Sequence, residues 1–110
     1  KFLRANANLT LTTRFPAIAL SQLQEEKDYD QWKDNLKVYG LDLRNLKEVT
    51  EFINHYSSGN EHLDILVNNS GGLIARKTIA EMSLEHWHAV MDLNLTSTFL
   101  MIKARHINAL

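Results

Sequence analysis

The chain has 110 residues, of which 45% are hydrophobic and 23% charged, the size and composition of one globular domain. Twelve Lys plus Arg against 13 Asp plus Glu leave a net charge of −1. That balance gives no electrostatic case for nucleic acid or an anionic membrane surface. With no cysteine, disulfide scaffolds, Cys-ligated zinc and thiolate chemistry are excluded.

Lys1 to Ala5 reads as the end of a helix. Leu9-Thr10-Leu11-Thr12-Thr13 is short and alternating, with β-branched residues, and predicts a strand. Phe15-Pro16 breaks it. Pro suits the first position of a helix, and Ala17, Ile18, Leu20 and Leu23 supply an apolar stripe behind it. Gln24 to Asn35 is polar around Tyr29 and Trp32 and predicts a loop or a short second helix. Leu36 to Leu43 predicts the second strand. Asn45 is placed to cap the next helix, on which Leu46, Val49, Phe52, Ile53 and Tyr56 share one face, and Ser57-Ser58-Gly59-Asn60 ends it. Leu63 to Asn68 predicts a third strand, apolar at Ile65, Leu66 and Val67 as in a sheet covered on both faces. Ser83 is a plausible N-cap for a long final helix with Trp87, Met91, Asn94, Thr98 and Met101 along one side. Such alternation of strands and helices predicts an α/β layered domain. The chain opens at Lys1 and closes at Leu110 without a helix stop signal, so it is expected to be a piece of a longer protein.

Four features carry chemistry. Asn68-Asn69-Ser70-Gly71-Gly72 follows a strand, where glycines permit positive φ and close approach of a ligand to the backbone. In open α/β sheets ligands sit beyond the carboxyl ends of the strands. The alternative is an ordinary Asn/Gly turn. Asp42 follows the second strand and could accept a ligand amino group or cap the next helix. Arg14 follows the first strand, where its planar fork suits a phosphate, or it is a solvated surface residue. Asn94 lies on the apolar face of the last helix, two turns beyond Trp87. Asn is a weak helix former and a buried amide needs partners. Either it bonds to a neighbouring loop, or its amide or a kink there holds a water near a reaction centre.

In this order the four features resemble the short-chain dehydrogenase/reductase family, over about Ala5 to Leu110. LDILVNNSG is similar to the family's Asn-Asn-Ala-Gly segment, with Ser70 in place of Ala. SLEHWHAVMDLNLTSTF resembles the helix that carries the Asn of its Asn-Ser-Tyr-Lys tetrad, which falls on Asn94. VYGLDLRN resembles the segment whose Asp contacts the adenine ring, which implies that role for Asp42 and Leu43. Arg14 falls near the Arg that NADP-preferring members place for the 2′-phosphate, and no acidic residue ends that strand. The resemblance therefore implies Asn94 as a catalytic residue and Arg14, Asp42, Leu43, Asn68, Asn69, Ser70 and Gly71 as cofactor-binding residues, with NADP(H) favoured over NAD(H) and no metal.

The implied fold is α/β: an incomplete Rossmann-type doubly wound parallel sheet of three strands with flanking helices. Residues 1–110 would be a fragment of a single NAD(P)-binding domain. The family's glycine-rich first turn and its catalytic Ser and Tyr-x3-Lys have no counterpart in place. Tyr29 and Lys33 fit Tyr-x3-Lys as a pattern, but they precede the Asn-Asn-Ser-Gly segment, which the family's pair follows. His86 and His88 point to different helix faces and make a poor metal pair. The implied function is interconversion of a small-molecule alcohol and a ketone by hydride transfer, with these residues alone inactive. A non-catalytic remnant or partner-binding α/β module is the alternative. No signal, cysteine or apolar span is present, which points to the cytosol, and the resemblance leaves room for a homo-oligomer. The substrate is expected to be set by loops beyond Leu110.

Overall fold

The computed structural model describes residues 1–59 and 62–109, with the side chains of 105–109 left out of the description. The described residues form two units, Lys1–Asp42 and Leu43–Leu110.

In the first unit, residues 2–6 make one turn that ends as helices end. Ala7 N–H reaches the Phe2 carbonyl and Asn6 N–H the Leu3 carbonyl, with Asn6 at φ 66°. This is a Schellman closure, and Asn is among the few residues that adopt the left-handed region readily. Strand β1 (Leu9–Thr13) leads into helix α1 (Pro16–Gln24), with Pro16 at its start where its missing N–H costs nothing. The polar stretch resolves into a single-turn helix α2 (Tyr29–Trp32) and a 3₁₀ turn, Lys33–Asn35. Trp32 is buried there, its ring edge-on to Tyr29 at 5.2 Å. Strand β2 (Leu36–Gly40) pairs parallel with β1, from Leu9 opposite Leu36 to Thr13 opposite Gly40. The ladder runs one residue further, with Leu41 N–H donating to the Thr13 carbonyl at 2.9 Å. Helix α1 packs on both strands. A Cβ on Gly40 would lie 3.3 Å from Pro16 Cγ, so the glycine lets the strand end pass beneath the helix start.

Arg4 ties this unit together. Its Nε donates to Asp28 Oδ2 at 2.7 Å, and Nη2 to Asp28 Oδ1 at 3.2 Å and Glu26 Oε2 at 3.1 Å. The fork thus joins the opening turn to the α1–α2 connection, 24 residues on.

In the second unit, Asn45 Oδ1 accepts from Lys47 N–H at 3.1 Å and Glu48 N–H at 3.3 Å, capping helix α3 (Leu46–Gly59) as expected. Ser83 Oγ accepts from His86 N–H at 3.0 Å and caps helix α4 (Leu84–Met91). The final helix is not continuous. A π-helical turn, Asp92–Thr96, separates α4 from α5 (Ser97–Ala109). Helix α5 packs on α3, where Val49 is fully buried, and Ser97 is 1% exposed.

The sheet among the described residues has two strands, not the three expected. Leu63–Asn68 takes no regular form, and Ile65 and Val67 are exposed. A strand exists only through a ladder to a neighbour, and residues 43–110 hold no strand among those described. Asn60 of the expected helix stop lies outside the described residues. No helix among the described residues is long and apolar enough to cross a membrane.

The hydrogen bonds from Arg4 are the main reason that the Asp28 carboxyl falls from its ordinary 3.8 to about 2. Because the folded pKa is the lower, the contact's contribution to stability is complete above pH about 4 and disappears as pH falls towards 2. An NMR titration should find the Asp28 midpoint near 2 and, in Arg4→Gln, back in the ordinary carboxylate range. An unmoved midpoint in the variant would refute the assignment.

Candidate active site

The candidate site is built around the π turn. A side-chain amide has one acceptor oxygen and two N–H donors, and Asn94 uses all three. Its Oδ1 accepts from Gly72 N–H at 3.0 Å, while its Nδ2 donates to the Gly72 carbonyl at 2.7 Å and the Val90 carbonyl at 2.8 Å. Reversing the amide would set its oxygen against two carbonyls, so the partners determine its orientation. Gly72 is thus held at both of its polar backbone groups.

The π turn frees the helix ladder for this arrangement. Ser97 N–H reaches the Asp92 carbonyl, five residues back. The Leu93 carbonyl, four residues before Ser97, accepts instead from Ser97 Oγ at 2.8 Å. Thr98 Oγ1 makes a long contact of 3.5 Å to the Asn94 carbonyl. Such π turns recur at functional sites. Beyond the turn Ser97 is buried, and Thr98, expected along one side with Asn94, is half-buried.

Gly71 is required by space. A Cβ there would lie 2.5 Å from Asn94 Oδ1, closer than real side chains approach. Asn68, Asn69 and Ser70 are exposed on the irregular segment that leads to it. The corner and the amide therefore meet directly. Gly72, outside the expected site residues, is the one bonded to Asn94; its signal was its place in the Asn-Asn-Ser-Gly-Gly run. Ser97 gave no such signal.

In the first unit, Arg14 and Asp42 stand just past the carboxyl ends of β1 and β2, which are neighbours in register. Arg14 is exposed, with its guanidinium 5.0 Å from the Phe15 ring centroid. Asp42 and Leu43 are half-buried.

Residues 1–107 match the family described as short chain dehydrogenase. The chain belongs to that family. It is 46% identical over 61 residues to a 3-oxoacyl-(acyl-carrier-protein) reductase of Synechocystis sp., a stretch covering 54% of this chain and 24% of that protein. It is 40% identical over 63 residues to 2-dehydro-3-deoxy-D-gluconate 5-dehydrogenase of Escherichia coli strain K12, covering 57% of this chain and 24% of that protein. The fold is similar to that of ElxO with NADP bound, at TM-score 0.70 and 22% identity, over 94% of this chain and 40% of that one. This short-chain dehydrogenase chain thus carries part of a Rossmann-type α/β fold, and it matches about a quarter of the length of the curated relatives.

Removing the amide in Asn94→Ala takes two partners from the exposed Gly72 peptide and should cost about 0.5–1.5 kcal/mol per hydrogen bond lost. Gly71→Ala should destabilise by forcing the same amide aside. Because both act through one contact, urea unfolding of the double variant should show a cost below the sum by more than about 0.5 kcal/mol. Additive costs would mean that the corner and the helix are not coupled through Asn94.

Proposed function

We propose that the protein to which these residues belong is an NAD(P)(H)-dependent oxidoreductase that interconverts an alcohol and a carbonyl by hydride transfer. The reading rests on membership of the family together with one contact, Asn94 bonded to Gly72, which joins the two segments that carry the family's motifs. The nicotinamide, when bound, supplies or accepts the hydride.

The residues present fit the adenine half of such a cofactor. Arg14 is exposed at the carboxyl end of β1, where its guanidinium is accessible to a phosphate. Asp42 offers a carboxylate past β2, suited to the adenine amino group, and Leu43 an apolar contact beside it. Asn68, Asn69, Ser70 and Gly71 present backbone and short polar side chains to the nicotinamide half. Asn94 serves the reaction by position. Its amide is fully engaged, so its part is to hold the π turn and the glycine corner in one geometry, with a water in the proton path.

NADP(H) is the preferred cofactor. A charge-assisted contact of Arg14 with the 2′-phosphate is worth about 1.5–3 kcal/mol, so Arg14→Ala in the complete protein should reduce the NADPH-to-NADH affinity ratio by roughly tenfold or more. An unchanged ratio would reduce Arg14 to a surface residue. The substrate is a small-molecule alcohol or ketone.

The 110 residues alone hold one member of the Asn-Ser-Tyr-Lys set in its expected place, Asn94. They should therefore leave NADPH unoxidised with a panel of small ketones. Turnover by the isolated chain, followed at the NADPH absorbance, would overturn the assignment of acid–base chemistry to groups outside it.

A further inference from the structure

Arg4 and Arg14 stand in the same unit and are held in opposite ways. The Arg4 guanidinium donates to two carboxylates, Asp28 and Glu26, at 2.7 to 3.2 Å. Its donors are largely taken. The Arg14 guanidinium is held by an aromatic ring instead. Its central carbon lies over the Phe15 ring, 5.0 Å from the centroid, which is the distance of a cation–π contact. Among the described residues no carboxylate meets it. A ring attracts the charge but offers no lone pair to an N–H, so the donors of Arg14 stay available for a bidentate anion.

The ring itself is carried on a fixed stretch of backbone. Phe15 N–H donates to Thr13 Oγ1 at 3.2 Å, and the Phe15 carbonyl accepts from Ala19 N–H at 3.1 Å in the first turn of α1. Pro16 follows and narrows the conformations open to the residue before it. Phe15 is thus tied to the end of β1 on one side and to α1 on the other. Arginine has one of the largest rotamer entropies of any side chain. Ordering a free arginine opposes the binding of an anion, and holding it beforehand removes part of that opposition.

We propose that Phe15 is a positioning residue for cofactor discrimination: its ring holds the Arg14 guanidinium beside the end of β1 with its donors unused, so that the 2′-phosphate of NADP(H) meets a side chain already in place. This rests on the function proposed above and on Arg14 as the residue that meets that phosphate. Phe15 acts through Arg14 and needs no contact of its own with the cofactor. NADH has no 2′-phosphate, so the effect falls on NADPH alone.

The test is equilibrium binding of NADPH and of NADH to the complete protein by isothermal titration calorimetry. Phe15→Leu keeps an apolar side chain and both backbone bonds but removes the ring. It should raise the Kd for NADPH about three- to fivefold and leave that for NADH unchanged. Phe15→Tyr restores an aromatic face and should bind both nucleotides as the wild type does. With Arg14→Ala already in place, adding Phe15→Leu should change neither Kd, because the route of its effect is gone. A Phe15→Leu protein that fails to fold, or that loses both nucleotides alike, shows a structural role and overturns the proposal. So does a Phe15→Tyr protein that behaves as Phe15→Leu, or a further loss of NADPH in the double variant. An unchanged Kd for NADPH in Phe15→Leu, beside a raised one in Arg14→Ala, overturns the proposal and leaves the cofactor reading intact. No effect of Arg14→Ala overturns both the proposal and the preference for NADP(H), and a wild type that binds neither nucleotide overturns the oxidoreductase reading as well.

Discussion

The two-point contact between the Asn94 amide and the Gly72 peptide organises the second unit. It accounts for several otherwise separate oddities. A weak helix former stands inside a helix because its amide is needed at that height. The helix widens to a π turn there, and the hydroxyl of Ser97 takes over a carbonyl that the shifted backbone no longer serves. Gly71 lacks a side chain because any would collide with the amide. Each change alone is unfavourable; joined through one amide, their polar groups are satisfied and the irregular segment before α4 acquires a defined position.

The first unit relies on different physics. A parallel strand pair with one covering helix has little apolar area to bury, and among its large side chains only Trp32 and Leu41 are buried. The Arg4 fork compensates by joining distant segments at the surface. Such exposed ion pairs contribute modestly, and their effect is to restrain the chain. The parallel ladder does something more relevant to function. By setting Thr13 opposite Gly40 it brings Arg14 and Asp42 to the same end of the sheet, where open α/β folds take their ligands.

Features decided by neighbouring residues were readable beforehand. Pro16 starts a helix, Asn45 and Ser83 cap the next two, and strands β1 and β2 lie where alternation places them. Leu63–Asn68 shows the limit. Its composition suits a buried strand, yet strand formation depends on a partner ladder, which composition does not supply. The π turn shows another. Reading residues 83–109 at a fixed 3.6 per turn treats them as one helix, whereas one wide turn at Asp92–Thr96 interrupts it. Ile74, at φ 64°, is a third, because nothing in Gly-Gly-Leu-Ile-Ala announces a positive φ at a β-branched residue.

Read without coordinates, the amino-acid order of this chain already determined its α/β character, its membership of the short-chain dehydrogenase family and the unusual standing of Asn94. All three reside in residue types and short spacings. Only the folded chain decided that Asn94 spends its whole amide on Gly72 and Val90, that a π turn makes room for this, and that Ile74 is held in the left-handed region. Those depend on segments 22 residues apart coming within hydrogen-bond distance, and such meetings are settled by competition among packing, ladder and side-chain bonds that no local window contains.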